Sequence, residues 1–389
     1  MTGPARKFPD ARSVDGWMSS VTRTHRTRAV RGLEPGDRPS VTVVIPCFNY
    51  ARYLPDSVGS ALAQDGVDVD VVVVDDCSTD DSVTVARGLA ARDPRVTVLV
   101  HEVNQGPVAT FNDGLERMTG EFVVRLDADD LLTPGSLARA TALARAYPSV
   151  GLVYGHPIHF EGEPPAHRSH VRSWTVWPGR QWLGDRCRDG YNVITSPEVV
   201  MRSSIVARVG GQMPIAHTHD MEMWLRIAAF SDVARVDGAD QAWHREHSSS
   251  LSARKVDLLK DLSERREAFD VLLAGPAGSI PEAQTLRRLS SRAIARDTLR
   301  TACHMVDRGR ASEESVEDLA AFAVEVDPGA ASLPEWRQLQ RRRASASRGP
   351  LTRPLAAAAA LRRRLRWELR YRRWQRTGVY DRSRGQLAR

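Results

Sequence analysis

The sequence predicts an α/β fold with a mainly parallel central sheet. Two observations carry this. Short β-branched runs alternate with helix-length amphipathic segments from Val41 to Tyr154. One of those runs, Val69–Val74, is also apolar on both faces apart from Asp70, as a strand covered by helices on each side must be.

The elements follow in order. Val41–Ile45 is a β-branched run of strand length. Tyr53–Ala63 sets Leu54, Val58, Ala61 and Leu62 at helical spacing. Val69–Val74 is a strand interrupted only by Asp70, Asp80–Arg92 is helical, and Val96–Val100 is a strand. Pro107–Met118 begins with a proline that a first helical turn tolerates, and places Val108, Phe111 and Leu115 on one side. Phe122–Leu126 is a strand, Pro134–Ala146 a helix and Gly151–Tyr154 a strand. The rhythm then loosens. Residues 156–195 read as loops with short helices, and Trp174, Trp177 and Trp182 read as the core of a small lid. His156, His159, His167 and His170 lack metal-ligand spacing and read as loop residues. Asp220–Phe230 is helical, Ala239–Trp243 a strand, and 253–345 helical throughout. The expected organisation is a mobile basic leader over 1–38, an α/β domain over 39–252, a helical extension over 253–345 and an Arg-rich helical tail over 346–389.

Composition excludes several classes. The chain has 389 residues, of which 42% are hydrophobic and 26% charged, the balance of a protein with a packed core. Its apolar runs fall far short of the roughly 20 residues a membrane helix needs. The first thirty residues hold no apolar core of a secretory signal. Cys47, Cys77, Cys187 and Cys303 have no paired spacing, which excludes a disulfide scaffold and a zinc ribbon and fits a reducing cytoplasm. The net charge of +7 is unevenly placed: residues 341–389 carry 16 Arg against two acids, so the remainder is mildly acidic.

Ligands of an open parallel sheet bind beyond the carboxyl ends of its strands. Past the first strand lie Pro46, Cys47, Phe48 and Asn49; past the second, Asp75 and Asp76; past the fourth, Asp127, Asp129 and Asp130. Five carboxylates thus reach one rim. Each acidic group alone reads equally as a turn or a helix cap. Three in four residues raise one another's pKa unless a cation offsets them. A hard divalent ion completed by substrate phosphates is the natural compensator. No GxxxxGK[ST] and no GxGxxG after the first strand accompanies them, which disfavours P-loop enzymes and dinucleotide dehydrogenases.

Six segments in order then resemble the family 2 glycosyltransferases. They are Val43–Tyr50 with Leu54; Val73–Asp80; Asn104–Gly106 with Ala109, Asn112 and Gly114; Leu126–Asp130; His219–Asp220 with Trp224–Arg226; and Arg245–His247 with Ser250–Ser252. The resemblance covers about residues 40–252. It implies a Rossmann-like A-type nucleotide-diphospho-sugar transferase fold and an inverting enzyme dependent on Mn²⁺ or Mg²⁺. By the same resemblance Pro46, Phe48 and Asp76 form the base-and-ribose pocket. Asn104 and Gly106 line nucleotide and donor sugar. Asp127 and Asp129 match the DxD motif, with Asp129 on the metal and Asp127 on ribose, donor sugar or metal.

Asp220 matches the general base, and its place at a helix start suits a carboxylate. A plain cap fits its position equally well without the resemblance. The family often has Glu before this residue, where this chain has His219. Arg245 is expected to neutralise the leaving diphosphate and His247 to contact metal or phosphate. The expected partners are a nucleoside-diphosphate sugar and an acceptor hydroxyl of a glycan or lipid-linked carrier, as in polysaccharide and cell-envelope synthesis.

The tail from Pro354 to Trp374 places Leu361, Leu365 and Leu369 on one helical stripe and Trp367, Tyr371 and Trp374 on another, with Arg between. That pattern suits an anionic membrane surface on the cytoplasmic side; a nucleic-acid tail or a solvated helix are the rivals. Two other functional classes compete with the transferase: a catalytically silent nucleotide-sugar or glycan-binding scaffold, and a nucleotidyltransferase.

Overall fold

The computed structural model describes residues 18–28, 30–34, 36–247, 258–308 and 313–346, together with Leu361, Leu365, Glu368, Leu369 and Arg372. The strands among them are β1 (His25–Thr27), β2 (Ser40–Cys47), β3 (Asp68–Asp75), β4 (Val96–Val100), β5 (Phe122–Arg125), β6 (Leu131–Leu132), β7 (Val150–Phe160), β8 (Ser173–Trp177), β9 (Val200–Arg202) and β10 (Asp232–Arg245). The α-helices are α1 (Leu54–Leu62), α2 (Ser82–Arg92), α3 (Pro107–Leu115), α4 (Ser136–Ala146), α5 (Gly179–Asp189), α6 (Ser203–Val209), α7 (His219–Phe230), α8 (Leu258–Ala274), α9 (Ala283–Arg308), α10 (Glu313–Val326) and α11 (Pro334–Ala346).

One sheet holds all ten strands, in the order β1-β8-β10-β7-β9-β5-β2-β3-β4, with β6 paired to β10. The half β4-β3-β2-β5 is wholly parallel, and β7 and β10 are parallel to each other. The short β9 lies antiparallel between β5 and β7 and joins the two parallel groups. The strands of the parallel half are apolar because both faces are covered: Val43, Ile45, Val71 and Val73 pack on one side, Val44 and Val123 on the other.

The largest departures from the sequence reading lie between 156 and 195. Residues expected as loops with short helices form the second half of β7 and all of β8, followed by the helix α5. Trp174, Trp177 and Trp182 are fully buried in the cores of the main sheet and not in a separate lid. Partners distant in sequence make the difference. β8 is fixed by antiparallel pairing to β10 over Val233–Asp237. β7 is carried past Tyr154 by parallel pairing to β10, with His156 on Asp240 at 2.9 Å and His159 on Glu246 at 2.9 Å. β10 is correspondingly much longer than Ala239–Trp243, and bends at Gly238, whose φ is 98°.

The expected mobile leader is also partly structured. β1 pairs with β8, and the Ser19 hydroxyl donates to Asp232 at 2.7 Å. These contacts form only once β8 and β10 exist, so local composition hides them. The helical extension is present as α8–α11, and its leucines join the same apolar core as Trp224 and Ile227 of α7. Within α7 the buried Glu222 and Arg226 form a two-pronged pair at 2.9 Å. The same guanidinium donates to the carbonyls of Val209, Gly210 and Gly211, tying the loop after α6 to α7. Losing one partner of such a buried pair costs about 3–5 kcal/mol.

Gly179 begins α5 where a Cβ would stand 1.8 Å from the Ser231 carbonyl oxygen, whereas Gly59 on the exposed face of α1 meets nothing within 4 Å. Gly179→Ala should therefore lower unfolding free energy by about 2 kcal/mol or more, through forced backbone movement. Gly59→Ala should raise it by about 0.5–1 kcal/mol by restricting the unfolded chain. Urea unfolding of the two variants checks both signs.

Candidate active site

The carboxyl ends of β2, β3 and β5 open on one rim, and the chain after each carries the polar groups. β2 ends in Cys47, after which Phe48 is 44% exposed and presents a flat aromatic face. Asn49 follows with φ 60°, and its side-chain oxygen accepts from the Thr79 amide at 2.8 Å. This stitches the β2 and β3 ends together.

Asp75 is buried and caps its own turn, accepting from the Ser78 amide at 2.9 Å and hydroxyl at 2.6 Å. Asp76 is 3% exposed, and its oxygens are engaged inside the protein. Oδ1 takes the Gln105 amide at 2.7 Å and faces His101 Nδ1 at 2.8 Å; Oδ2 takes the Gly106 amide at 2.8 Å. Asn104 Nδ2 donates to the Asp76 carbonyl at 3.1 Å. This differs from the expected carboxylate open to base or ribose. Asp76 instead shapes the wall: it holds the 101–106 loop against the rim, where Gly106 adopts φ 84° to enter α3.

The turn between β5 and β6 carries the denser acidic group. Asp130 is fully buried, accepting the Arg245 amide at 2.8 Å and pairing with His244 Nδ1 at 3.0 Å. Burial alone would hold His244 neutral, but the Asp130 carboxylate pushes it up to about 9. Asp129 Oδ2 lies 2.8 Å from His247 Nε2. Burial, and then the charge of Asp127, push Asp129 upward. Asp127 moves the opposite way: burial works against its ionisation, yet Arg125, 2.9 Å away through Nε, holds it below its ordinary value. His247 packs against Tyr50 and Tyr53, with ring centroids at 5.9 and 5.3 Å.

Arg245 sits differently from expectation. Its guanidinium is enclosed between the Tyr53 and Phe160 rings at 4.8 and 4.7 Å. It donates to the Asp129 carbonyl at 3.0 Å and the Gly162 carbonyl at 2.8 Å. Its Nη2 lies 3.9 Å from the exposed Asp56 carboxylate, and through the Asp129 carbonyl Arg245 braces the acidic turn.

Asp220 stands in the first turn of α7. Its Oδ1 accepts the Met221 amide at 2.6 Å, and Oδ2 is met by Asn192 Nδ2 at 3.3 Å and Ser196 Oγ at 3.5 Å. Burial pushes it up to about 6, with Asp127 adding and Arg125 opposing. The same charges reach across the site. Asp127 feels His244 and His219, while Tyr50 is pushed upward by burial and then by Asp129, Asp127 and Asp130. The turn at 127–130, the start of α7 and the end of β10 therefore share one electrostatic enclosure. Asp76 stands on the same rim two strands away, facing its own loop.

Among the described residues no cluster of three or more His, Cys, Asp or Glu side chains is arranged to hold a metal ion. The donors still fit a hard cation held in the substrate-assisted way, through one or two protein groups with phosphates completing the shell. Asp129 and His247 offer those groups, and the crowded charge around Asp129 is what a cation relieves. Asp127, directed at Arg125, does not join them in a ready-made cage.

Several site residues carried no sequence signal: Arg125, Gln212, Tyr53, Asn192 and Glu198. Glu198 is 2% exposed, with Oε1 on the Thr195 amide at 2.7 Å and Oε2 without a hydrogen-bond partner. Burial pushes it up to about 7.

Comparison with known proteins agrees with this architecture. Residues 42–206 match the family model described as Glycosyl transferase family 2. Over 108 residues, 28% of this chain and 30% of the relative, the chain is 42% identical to the succinoglycan biosynthesis protein ExoO of Rhizobium meliloti. Over 119 residues, 30% of this chain and 38% of the relative, it is 34% identical to the GalNAc(5)-diNAcBac-PP-undecaprenol beta-1,3-glucosyltransferase of Campylobacter jejuni. These matches span about a third of the relatives' own length. The fold is similar to that of S. aureus TarS 1-349 in complex with UDP-GlcNAc, with a TM-score of 0.54 and 16% identity over 75% of this chain and 81% of that one.

Glu198 supplies a pH test of the site. Its folded-state pKa of about 7 lies above the ordinary glutamate value of 4.5, so the folded protein binds more protons between those limits. The resulting stability is present below pH 4.5 and is lost as pH rises through 7. Glu198→Gln should match wild type near pH 4.5 and be more stable by on the order of 3 kcal/mol at pH 8. Urea titrations at the two pH values measure the difference.

Proposed function

We propose, from the match of residues 42–206 to the family model described as Glycosyl transferase family 2, that the chain is an inverting, metal-dependent glycosyltransferase. It moves a sugar from a nucleoside-diphosphate donor to an acceptor hydroxyl in glycan or cell-envelope synthesis. The observation that carries this reading is the convergence of Asp127, Asp129, Asp220 and His247 in one acidic enclosure at the sheet rim, reached from three separate stretches of chain.

The base of the donor stacks near Phe48 and Pro46, along the wall that Asp76 builds from Asn104 and Gly106. Asp127, partly open to solvent, faces ribose or donor sugar. Asp129 and His247 would hold Mn²⁺ or Mg²⁺, and the ion would supply positive charge against the leaving diphosphate. Arg245 keeps the acidic turn in place. Asp220 takes the proton of the acceptor hydroxyl as that oxygen bonds to the anomeric carbon from the face opposite the diphosphate. Its folded pKa of about 6 leaves it mostly ionised at neutral pH yet basic enough to work there. Asn192 and Ser196 meet the same oxygen at long range and yield it to an incoming hydroxyl. The ExoO and Campylobacter relatives, by their names, act in polysaccharide synthesis and on an undecaprenol-linked acceptor, which supports an envelope acceptor here.

The reading extends to the tail. No helix among the described residues is long and apolar enough to cross a membrane. Leu361, Leu365 and Leu369 are helical and exposed, while the stripe of Trp367, Tyr371 and Trp374 lies outside the described residues. With 16 Arg over 341–389, this segment is proposed to rest on an anionic membrane surface.

Two outcomes are expected. Asp220→Asn should reduce transfer at least a thousandfold while UDP or GDP binding by calorimetry stays within about threefold, because a base acts on the transition state alone. Transfer within tenfold of wild type removes Asp220 from the mechanism. The full chain should co-sediment with phosphatidylglycerol-rich vesicles and release in high salt, whereas a chain ending at 346 stays in solution. Equal sedimentation of the two chains rejects the membrane role.

A further inference from the structure

Arg125 is a charged residue at the end of a central strand, where an apolar one would be expected. β5 alternates its side chains, so Arg125 shares a face with Val123 and lies over the Phe111 ring at 5.4 Å. It is 6% exposed. Nε donates to Asp127 Oδ1 at 2.9 Å and Nη1 to Gln212 Oε1 at 2.8 Å. Gln212 is itself locked: its amide donates to Asn112 Oδ1 at 2.8 Å, and Asn112 Nδ2 returns a bond to its carbonyl at 2.9 Å. The loop that carries Gln212 is tied to α7 by Arg226. The guanidinium thus has a packed floor, a fixed anchor and one carboxylate to direct.

We propose that Arg125 is a positioning residue of the transfer: its fork, fixed at one end by Gln212, aims Asp127 into the donor pocket. This rests on the glycosyltransferase reading and adds to it the group that sets the direction of that carboxylate.

A planar fork and a point charge differ here: Lys keeps the charge but cannot hold Asp127 and Gln212 together.

The experiment uses the full chain. Arg125→Gln should raise donor KM on the order of tenfold through a misdirected Asp127 and leave kcat within about threefold. Arg125→Lys, which keeps the charge without the fork, should show the same raised KM. Gln212→Leu, which frees the fork and keeps the charge, should raise KM likewise. Donor KM within twofold of wild type in folded Arg125→Gln overturns the proposal. Should that variant not fold, donor KM within twofold of wild type in both Arg125→Lys and Gln212→Leu overturns it. A wild type that transfers from no nucleotide sugar defeats the glycosyltransferase reading instead; calorimetry with UDP or GDP then still decides the role of Arg125, since unchanged nucleotide binding in Arg125→Lys and Gln212→Leu overturns it.

Discussion

Negative charge is concentrated at the carboxyl rim of the sheet, and the surrounding structure is built to hold it there. Asp127, Asp129 and Asp130 occupy one turn, with Asp220 facing them from α7. Buried carboxylates this close repel one another and lose hydration, so each needs a compensator. The protein gives each a different one. Asp130 receives His244 and a backbone amide, Asp127 receives Arg125, and Asp129 receives His247.

The compensators come from remote parts of the chain, and this couples the site to the fold. His244 and Arg245 are delivered by the last residues of β10, which are positioned by β7. Arg245 braces the acidic turn through the Asp129 carbonyl while wedged between Tyr53 of the β2–α1 connection and Phe160 of β7. Arg226, inside α7, holds the loop that anchors Gln212, and Gln212 in turn holds Arg125. A helix core residue, Arg226, is thus connected to the direction of the Asp127 carboxylate through the loop at Gly211 and the side chains of Gln212 and Arg125. This division also explains why Asp76 differs from the other acids: it lies among backbone amides, so it organises a loop and needs no cation.

Most of the parallel half was legible before any coordinates. Its strands are apolar on both faces and separated by helices of ordinary spacing, so local pattern and tertiary outcome coincide for Val41–Ile45, Val69–Val74 and Phe122–Leu126. The site's acids were legible because they sit just beyond those strands. What escaped was governed by partners far away in sequence. Trp174 and Trp177 read as lid residues because the strand that makes them core, β10, lies some 60 residues on. His156 and His159 looked like loop residues because their partners, Asp240 in that same strand and Glu246 just beyond it, are equally remote in sequence.

The sequence by itself determined the α/β class, the order of elements and the set of acids at the rim, because hydrophobic period and strand-end position are local properties of the chain. Only the tertiary structure decided which acid faces the pocket and which is consumed within the wall. It also turned Arg245 inward and set Arg125 behind Asp127. Those outcomes depend on which donor reaches each carboxylate first, and that is fixed by contacts between segments separated by up to about 120 residues.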